Sequence, residues 1–135
     1  MGITYEWRGD FTNSELSALH AEAFETPTYD EAEWNWLEQV HRHSLGWVVA
    51  REANGRLVAF VNVPWDGLLH AWIQDTMVAK IARHEGIGKR VVQIAIEEGR
   101  RAGCEWMHVD FDEPLGPFYF DACGFKPTNA GLIAL

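Results

Sequence analysis

The sequence predicts a single α/β domain over residues 1–135, with a mixed central sheet flanked by helices. Three observations carry that expectation. Short apolar runs with strand character recur between turn signals. Two N-terminal segments carry helix-start signals. The run Arg83-His84-Glu85-Gly86-Ile87-Gly88-Lys89 then separates a strand-like stretch from a long amphipathic helix, the strand–turn–helix order of a right-handed crossover.

The elements follow in order. Residues 3–7 alternate as a short strand. Thr12-x-x-Glu15 has the form of a capping box, so Thr12 or Asn13 opens a helix that runs to Phe24. Pro27 ends that segment, and Asp30-x-x-Glu33 marks the start of a second helix that closes near His43. Residues 47–51 and 57–63 read as strands joined through Asn54-Gly55, a type I′ hairpin signal. Pro64, Asp66 and Gly67 turn the chain into a third apolar run over 69–79. After the Gly-rich turn, Gly88, Val91, Val92, Ala95 and Ile96 share one helical stripe, and Arg100, Arg101 and Gly103 end the helix. Residues 104–109 read as a buried strand, 115–122 as a short helical segment and 131–135 as a last strand.

Composition narrows the function classes. A hydrophobic content of 47% supports a real core, and no apolar run is long enough to span a bilayer. The N-terminus has no apolar signal region, and Glu6 stands where myristoylation requires Ser or Thr. Cys104 and Cys123 form no C-x-x-C pair and sit in apolar segments, which fits free thiols in a reducing, cytoplasmic setting. Net charge is −9, yet six Lys/Arg face three Glu between Lys80 and Arg101. An acidic chain with one basic turn suits a small anionic ligand, whereas nucleic acid needs an extended basic face, so neither a nucleic-acid nor a membrane partner is expected.

The Gly-containing turn has the chemistry of a phosphate cradle. It opens a helix, so several backbone N–H groups and the positive end of the helix dipole converge on one spot. Other phosphate motifs do not fit. A Walker loop requires a hydroxyl residue after Gly-Lys, where this chain has Arg90, and Val91 occupies the third Gly position of a dinucleotide fingerprint.

Two separated motifs then give the chain a resemblance. Arg83-x-x-Gly86-x-Gly88 is similar to the [Q/R]-x-x-G-x-[G/A] pyrophosphate turn of the GNAT superfamily of acyl-CoA-dependent N-acetyltransferases, and Phe118-Tyr119-Phe120-Asp121-Ala122-Cys123-Gly124-Phe125 contains a segment like its F-Y-x-x-x-G-F signature. The resemblance implies an acetyltransferase that carries an acetyl group from acetyl-CoA to a primary amine of a small molecule or peptide, by direct attack in a ternary complex. It implies that Thr76, Met77 and Val78 offer backbone groups to the pantetheine arm. Arg83, His84, Glu85, Gly86, Ile87, Gly88 and Lys89 would hold the pyrophosphate. Asp112 stands where the family commonly has an Asn facing the pantetheine, and an ionised Asp cannot donate. Proteins of the family are often dimers, so a homodimer is one expectation. A non-catalytic acyl-CoA-binding or protein-interaction module on the same fold is the alternative.

Tyr119 is the candidate catalytic residue, since a phenol beside the sulfur can protonate the departing thiolate. The general base stays open. Relatives often carry a carboxylate or His at positions matching Trp72, Gln74 or Met107, none of which can take a proton. Strand alternation sends Asp75 to the face opposite Gln74 unless a bulge shifts the register, which leaves it a structural hydrogen bond. Asp110, His108 and Glu25 are the other possibilities, together with a water chain or an amine captured neutral. The first 40 residues hold nine Asp/Glu against Arg8 alone. Glu25, Asp30, Glu31 and Glu33, with Phe24, Tyr29, Trp34 and Trp36 nearby in sequence, would suit a cationic or aromatic amine. The six histidines show no ligand spacing, so no metal is expected.

Overall fold

The computed structural model describes residues 2–135. Its elements are β1 (Thr4–Trp7), α1 (Asn13–Phe24), α2 (Trp36–His43), β2 (Ser44–Arg51), β3 (Leu57–Pro64), β4 (His70–Trp72), β5 (Gln74–Val78), α3 (Ile87–Arg101) and β6 (Trp106–His108), followed by a short π-helix at Pro117–Ala122. β1, β2, β3 and β5 form an antiparallel sheet in that order, while β4 pairs in parallel with β6. Because β4 runs straight into β5, the two sheets are one mixed sheet that divides at Ile73.

β2 and β3 are buried on both faces, which is why their sequences are continuous apolar runs rather than alternating ones. α1 and α2 cover one face and α3 covers the other with Ile87, Val91, Val92 and Ala95. Trp36, Phe60, Val48 and Val61 are fully enclosed in the resulting core. The N-terminal signals form as expected: the Thr12 side chain accepts from Glu15 N while the Glu15 side chain accepts from Thr12 N. Glu15 is also held by a forked pair of bonds from Arg51 of β2, at 2.9 and 2.8 Å, which ties α1 to the sheet and lowers its pKa.

Four local expectations change. The Asp30–Glu33 motif closes its reciprocal hydrogen bonds but caps only an isolated turn, and α2 starts at Trp36 with Asn35 as its cap. Asn13 causes the delay, since its side chain bonds Glu31, Asn35 and the amide of Leu37 and so fixes where the helix begins. The Asn54-Gly55 hairpin uses a longer loop, closed by Gly55 N to Glu52 O and Glu52 N to Arg56 O, with Gly55 alone at positive φ; a type I′ turn would need Asn54 there too. The buried strand expected over 104–109 shrinks to β6, with Trp106 exposed. Residues 131–135 form no strand. They are apolar at both parities, a pattern that needs cover on both faces, and Leu132 and Ile133 remain exposed.

Candidate active site

The turn before α3 is built by two left-handed residues. Lys80–Ala82 form a 3₁₀ turn that lifts the chain off β5, and the Arg83 side chain braces the loop by donating from Nε to Val78 O at 3.2 Å. His84 and Gly86 then take φ values of 66° and 79°. Gly86 is the N-cap of α3, and no side chain caps the helix, so the amides of its first turn lack the usual side-chain acceptor. Arg83, His84, Glu85 and Lys89 ring this turn at the surface, while Ile87 anchors it in the core. Gly88 has a separate reason to be glycine. A Cβ there would lie 3.3 Å from Val78 Cγ2 and 3.4 Å from Phe118 Cε1, so the start of α3 sits hard against β5 and the π-helix.

Next to this turn the sheet opens. The amide of Ile73 bonds His108 O at 2.8 Å, and beyond that point β5 pairs only with β3. Thr76, Met77 and Val78 therefore lie along the strand that borders the gap. The Thr76 hydroxyl oxygen is buried with no hydrogen-bond partner. It lies near enough the Tyr119 phenol to hold that group's pKa down somewhat, short of hydrogen-bond geometry. Tyr119 itself is buried, stacked on Phe111 at 4.7 Å and met edge-on by Phe118 and Phe125. Burial pushes the phenol's pKa up, with Cys123 and Asp110 adding to the rise, so Tyr119 keeps its proton at neutral pH. Asp112 is exposed and opens the 3₁₀ turn Glu113–Leu115.

The strand positions considered for a base behave differently from one another. Trp72 and Gln74 are exposed, and Met107 packs towards Gly99 of α3. Asp75 falls in the bulge that strand alternation excepts: Phe60 pairs with Met77 and Asn62 with Gln74, so β5 sets one extra residue against β3. Asp75 is the residue at positive φ, 56°, and it faces His20 of α1 and the Asn62 amide. Burial raises its pKa, His20 and Asn62 opposing, and its Oδ2 is buried without a partner. The sequence carries no signal that brings His20 to this place, because nothing in its spacing links it to β5. It is buried, bonded through Nδ1 to Thr26 Oγ1 at 3.0 Å, and surrounded by Phe24, Tyr29, Trp34 and Trp36, whose ring centroids lie 4.9, 6.2, 5.3 and 5.2 Å from its own.

His108 pairs instead with His70, Nε2 to Nδ1 at 2.7 Å, and Trp72 stacks on it at 5.0 Å. That contact joins two residues 38 apart in the chain. Among the described residues no group of three or more His, Cys, Asp or Glu is arranged to hold a metal. Asp110 and Glu25 are exposed, and Glu25 is the left-handed C-cap of α1. Asp30 and Glu33 are held within the 28–35 loop by their reciprocal bonds, and Glu31 accepts from Asn13 of α1 at 2.6 Å. They line a cleft of about 710 Å³ between α1 and this loop, together with Ser17 and Tyr29. No residue of the 83–89 turn or the π-helix borders it.

Residues 7–125 match the acetyltransferase (GNAT) family across most of the chain. The chain belongs to that family. No curated protein sequence is similar enough to count as a relative. Solved structures share the fold of this GNAT chain. A Trypanosoma brucei acetyltransferase is 22% identical, with a TM-score of 0.79 over 98% of this chain and 99% of that one. Glucosamine-6-phosphate N-acetyltransferase from Arabidopsis thaliana is 18% identical, with a TM-score of 0.77 over 98% of each chain. AAC(6')-Iy, solved with the bisubstrate analogue CoA-S-monomethyl-acetylneamine, is 16% identical, with a TM-score of 0.78 over 100% of this chain and 98% of that one. Among the described residues, no helix of this GNAT chain is long and apolar enough to cross a membrane.

Proposed function

We propose that the chain is a cytoplasmic N-acetyltransferase that transfers an acetyl group from acetyl-CoA to an amine by direct attack in a ternary complex. The observation that carries this reading is a single alignment of features. The uncapped α3 N-terminus, the gap beside β5 and the buried, protonated Tyr119 follow one another along one side of the sheet. Coenzyme A fits them. Its pyrophosphate suits the amides of residues 86–89, and its amide-bearing arm suits the strand Thr76–Val78, where a buried hydroxyl waits for a partner. The contact Gly88 makes with Val78 and Phe118 keeps that arrangement tight.

When bound, acetyl-CoA supplies a thioester carbonyl that an amine can attack. The residues of this chain then have separate tasks. Arg83 holds the turn in shape from behind, through Val78 O, and Lys89 adds positive charge at its rim. Tyr119 keeps a proton in a dry aromatic pocket and gives it to the leaving sulfur. The tested quantity is thiol release from acetyl-CoA against a panel of amino acids, polyamines, aminoglycosides, arylalkylamines and peptide N-termini. Turnover with at least one amine is the expected result. Tight coenzyme binding with no thiol release across the panel would make the protein an acyl-CoA-binding module instead.

A further inference from the structure

Tyr119 meets its difficulty as an acid once its proton has gone. A phenolate oxygen carries negative charge, and the rings of Phe111, Phe118 and Phe125 stand around the group without a hydrogen-bond donor among them. Burial does most to raise the phenol's pKa, and Cys123 of the same π-helix and Asp110 after β6 add to the rise. Among the described residues, the Thr76 hydroxyl is the group that works the other way.

Thr76 has the complementary difficulty. Its Oγ1 is buried with no hydrogen-bond partner, so a hydroxyl able to donate once and accept twice is left unpaired, which is costly. Valine has the same shape and suits a strand as well, so packing alone does not account for a threonine here. The fold sets the two residues side by side. Thr76 and Val78 share one face of β5 by alternation, and Gly88 at the start of α3 packs against both Val78 and Phe118, the residue before Tyr119. α3 therefore fixes the strand and the π-helix against each other on the face that Thr76 presents. The hydroxyl and the phenol stand short of full hydrogen-bond geometry, and negative charge growing on the phenol oxygen is what draws the donor in, since charged acceptors make the shorter and stronger bonds.

Resting on the acetyltransferase reading, we propose that Thr76 is a positioning residue for departure of the thiol: its hydroxyl donates to the Tyr119 phenol oxygen, turns the phenol's own O–H towards the gap, and holds the phenolate that remains when that proton goes to sulfur. The lone pair of the neutral amine forms the C–N bond to the thioester carbonyl carbon, and the C–S bond breaks with its electron pair on sulfur. The Tyr119 O–H bond breaks as S–H forms, which puts one negative charge on the phenol oxygen beside the Thr76 O–H. The surplus proton on the acylated nitrogen returns through water to that oxygen. Thr76 keeps its own proton throughout, so it acts on the sulfur only through Tyr119.

Thr76→Val removes the hydroxyl and keeps the shape, while Thr76→Ser keeps the hydroxyl. With acetyl-CoA and the best acceptor of the amine panel, the Val variant is expected to lose about ten- to a hundredfold in kcat with KM and calorimetric CoA affinity little changed, and the Ser variant to retain most of the rate. In a Tyr119→Phe background, Thr76→Val should cost nothing more, because the two changes remove one function. A second readout needs no turnover. Ultraviolet titration of the phenolate without coenzyme, assigned to Tyr119 by subtracting the Tyr119→Phe protein, should show Tyr119 ionising at higher pH in the Val variant than in the Ser variant or the unaltered protein. The thermal midpoint of the Val variant should stay or rise as an unpaired buried hydroxyl is lost. Unaltered kcat in the Val variant, equal losses for Val and Ser, a Val loss that multiplies with that of Tyr119→Phe, an unshifted titration, or a loss confined to coenzyme affinity would each overturn the proposal. Thiol release by the unaltered protein tests the acetyltransferase reading, and its absence overturns that reading and the role in thiol departure together; the titration decides separately whether Thr76 donates to Tyr119.

Discussion

Tyr119 illustrates how a single side chain acquires its chemistry from its surroundings. A free phenol is a poor acid at neutral pH, and enclosure by Phe111, Phe118 and Phe125 makes it poorer still, with its pKa above the ordinary value. That direction is the useful one for a proton donor. The proton is present at every working pH, and activity should show no loss from Tyr119 ionisation until pH passes the ordinary tyrosine pKa. Tyr119→Phe is expected to lower kcat by about ten- to a thousand-fold while leaving coenzyme affinity unchanged, because the ring packing survives and the donor does not. Steady-state rates beside calorimetry make the comparison, and equal losses in rate and binding would assign Tyr119 to packing. The motif around Tyr119 was legible in the sequence; its aromatic enclosure, which includes Phe111 from outside the motif, was not. Asp75 was legible only as a conditional, since alternation gives its face correctly for a regular strand and a bulge is set by pairing with β3, which no local pattern records.

At the scale of elements, the segment from β5 through the turn into α3 carries the proposed coenzyme site. Its pieces were readable because each is local: the Gly spacing, the apolar stripe and the basic helix end all lie within one stretch of chain. α2 shows the opposite case. The Asp30–Glu33 cap formed its bonds, yet Asn13, on another helix, decided that the helix would begin at Asn35. The hairpin after β2 likewise kept Asn54-Gly55 but used a three-residue loop, with Arg51 bonding Gly55 O and Glu15. For the α3 turn, main-chain and side-chain contributions separate cleanly. Gly88→Glu forces a Cβ against Val78 and Phe118 and brings a negative charge to the proposed pyrophosphate site, so coenzyme binding should be lost. Lys89→Ala leaves the amides in place and should weaken binding by roughly three- to tenfold, the worth of one partly screened charge. Calorimetry with CoA on folded variants decides it. Unchanged affinity in Gly88→Glu would remove this turn from the coenzyme site.

Over the whole molecule, opposite charge collects in two separate stretches of the chain. The first 40 residues carry nine carboxylates against one Arg, while residues 80–101 carry a net +3. The turn before α3 lies in the basic stretch, and α1 with the 28–35 loop lies in the acidic one. Asp30 and Glu33 bond each other and Glu31 is bonded by Asn13 of α1, so an effect of theirs on a substrate is expected through their summed field rather than through direct contact. This distinction gives a measurable signature. A cationic acceptor should be drawn in by that field, and its apparent KM should rise by about three- to tenfold as ionic strength climbs from a few millimolar to several hundred, where the screening length falls to a few ångströms. A neutral amine such as aniline should show no such rise. Glu33→Gln or Glu31→Gln alone should cost little, and the two together should cost the sum, because a field adds where a contact does not. Best substrates that are acidic or neutral, with a KM indifferent to salt, would reduce these carboxylates to loop scaffolding.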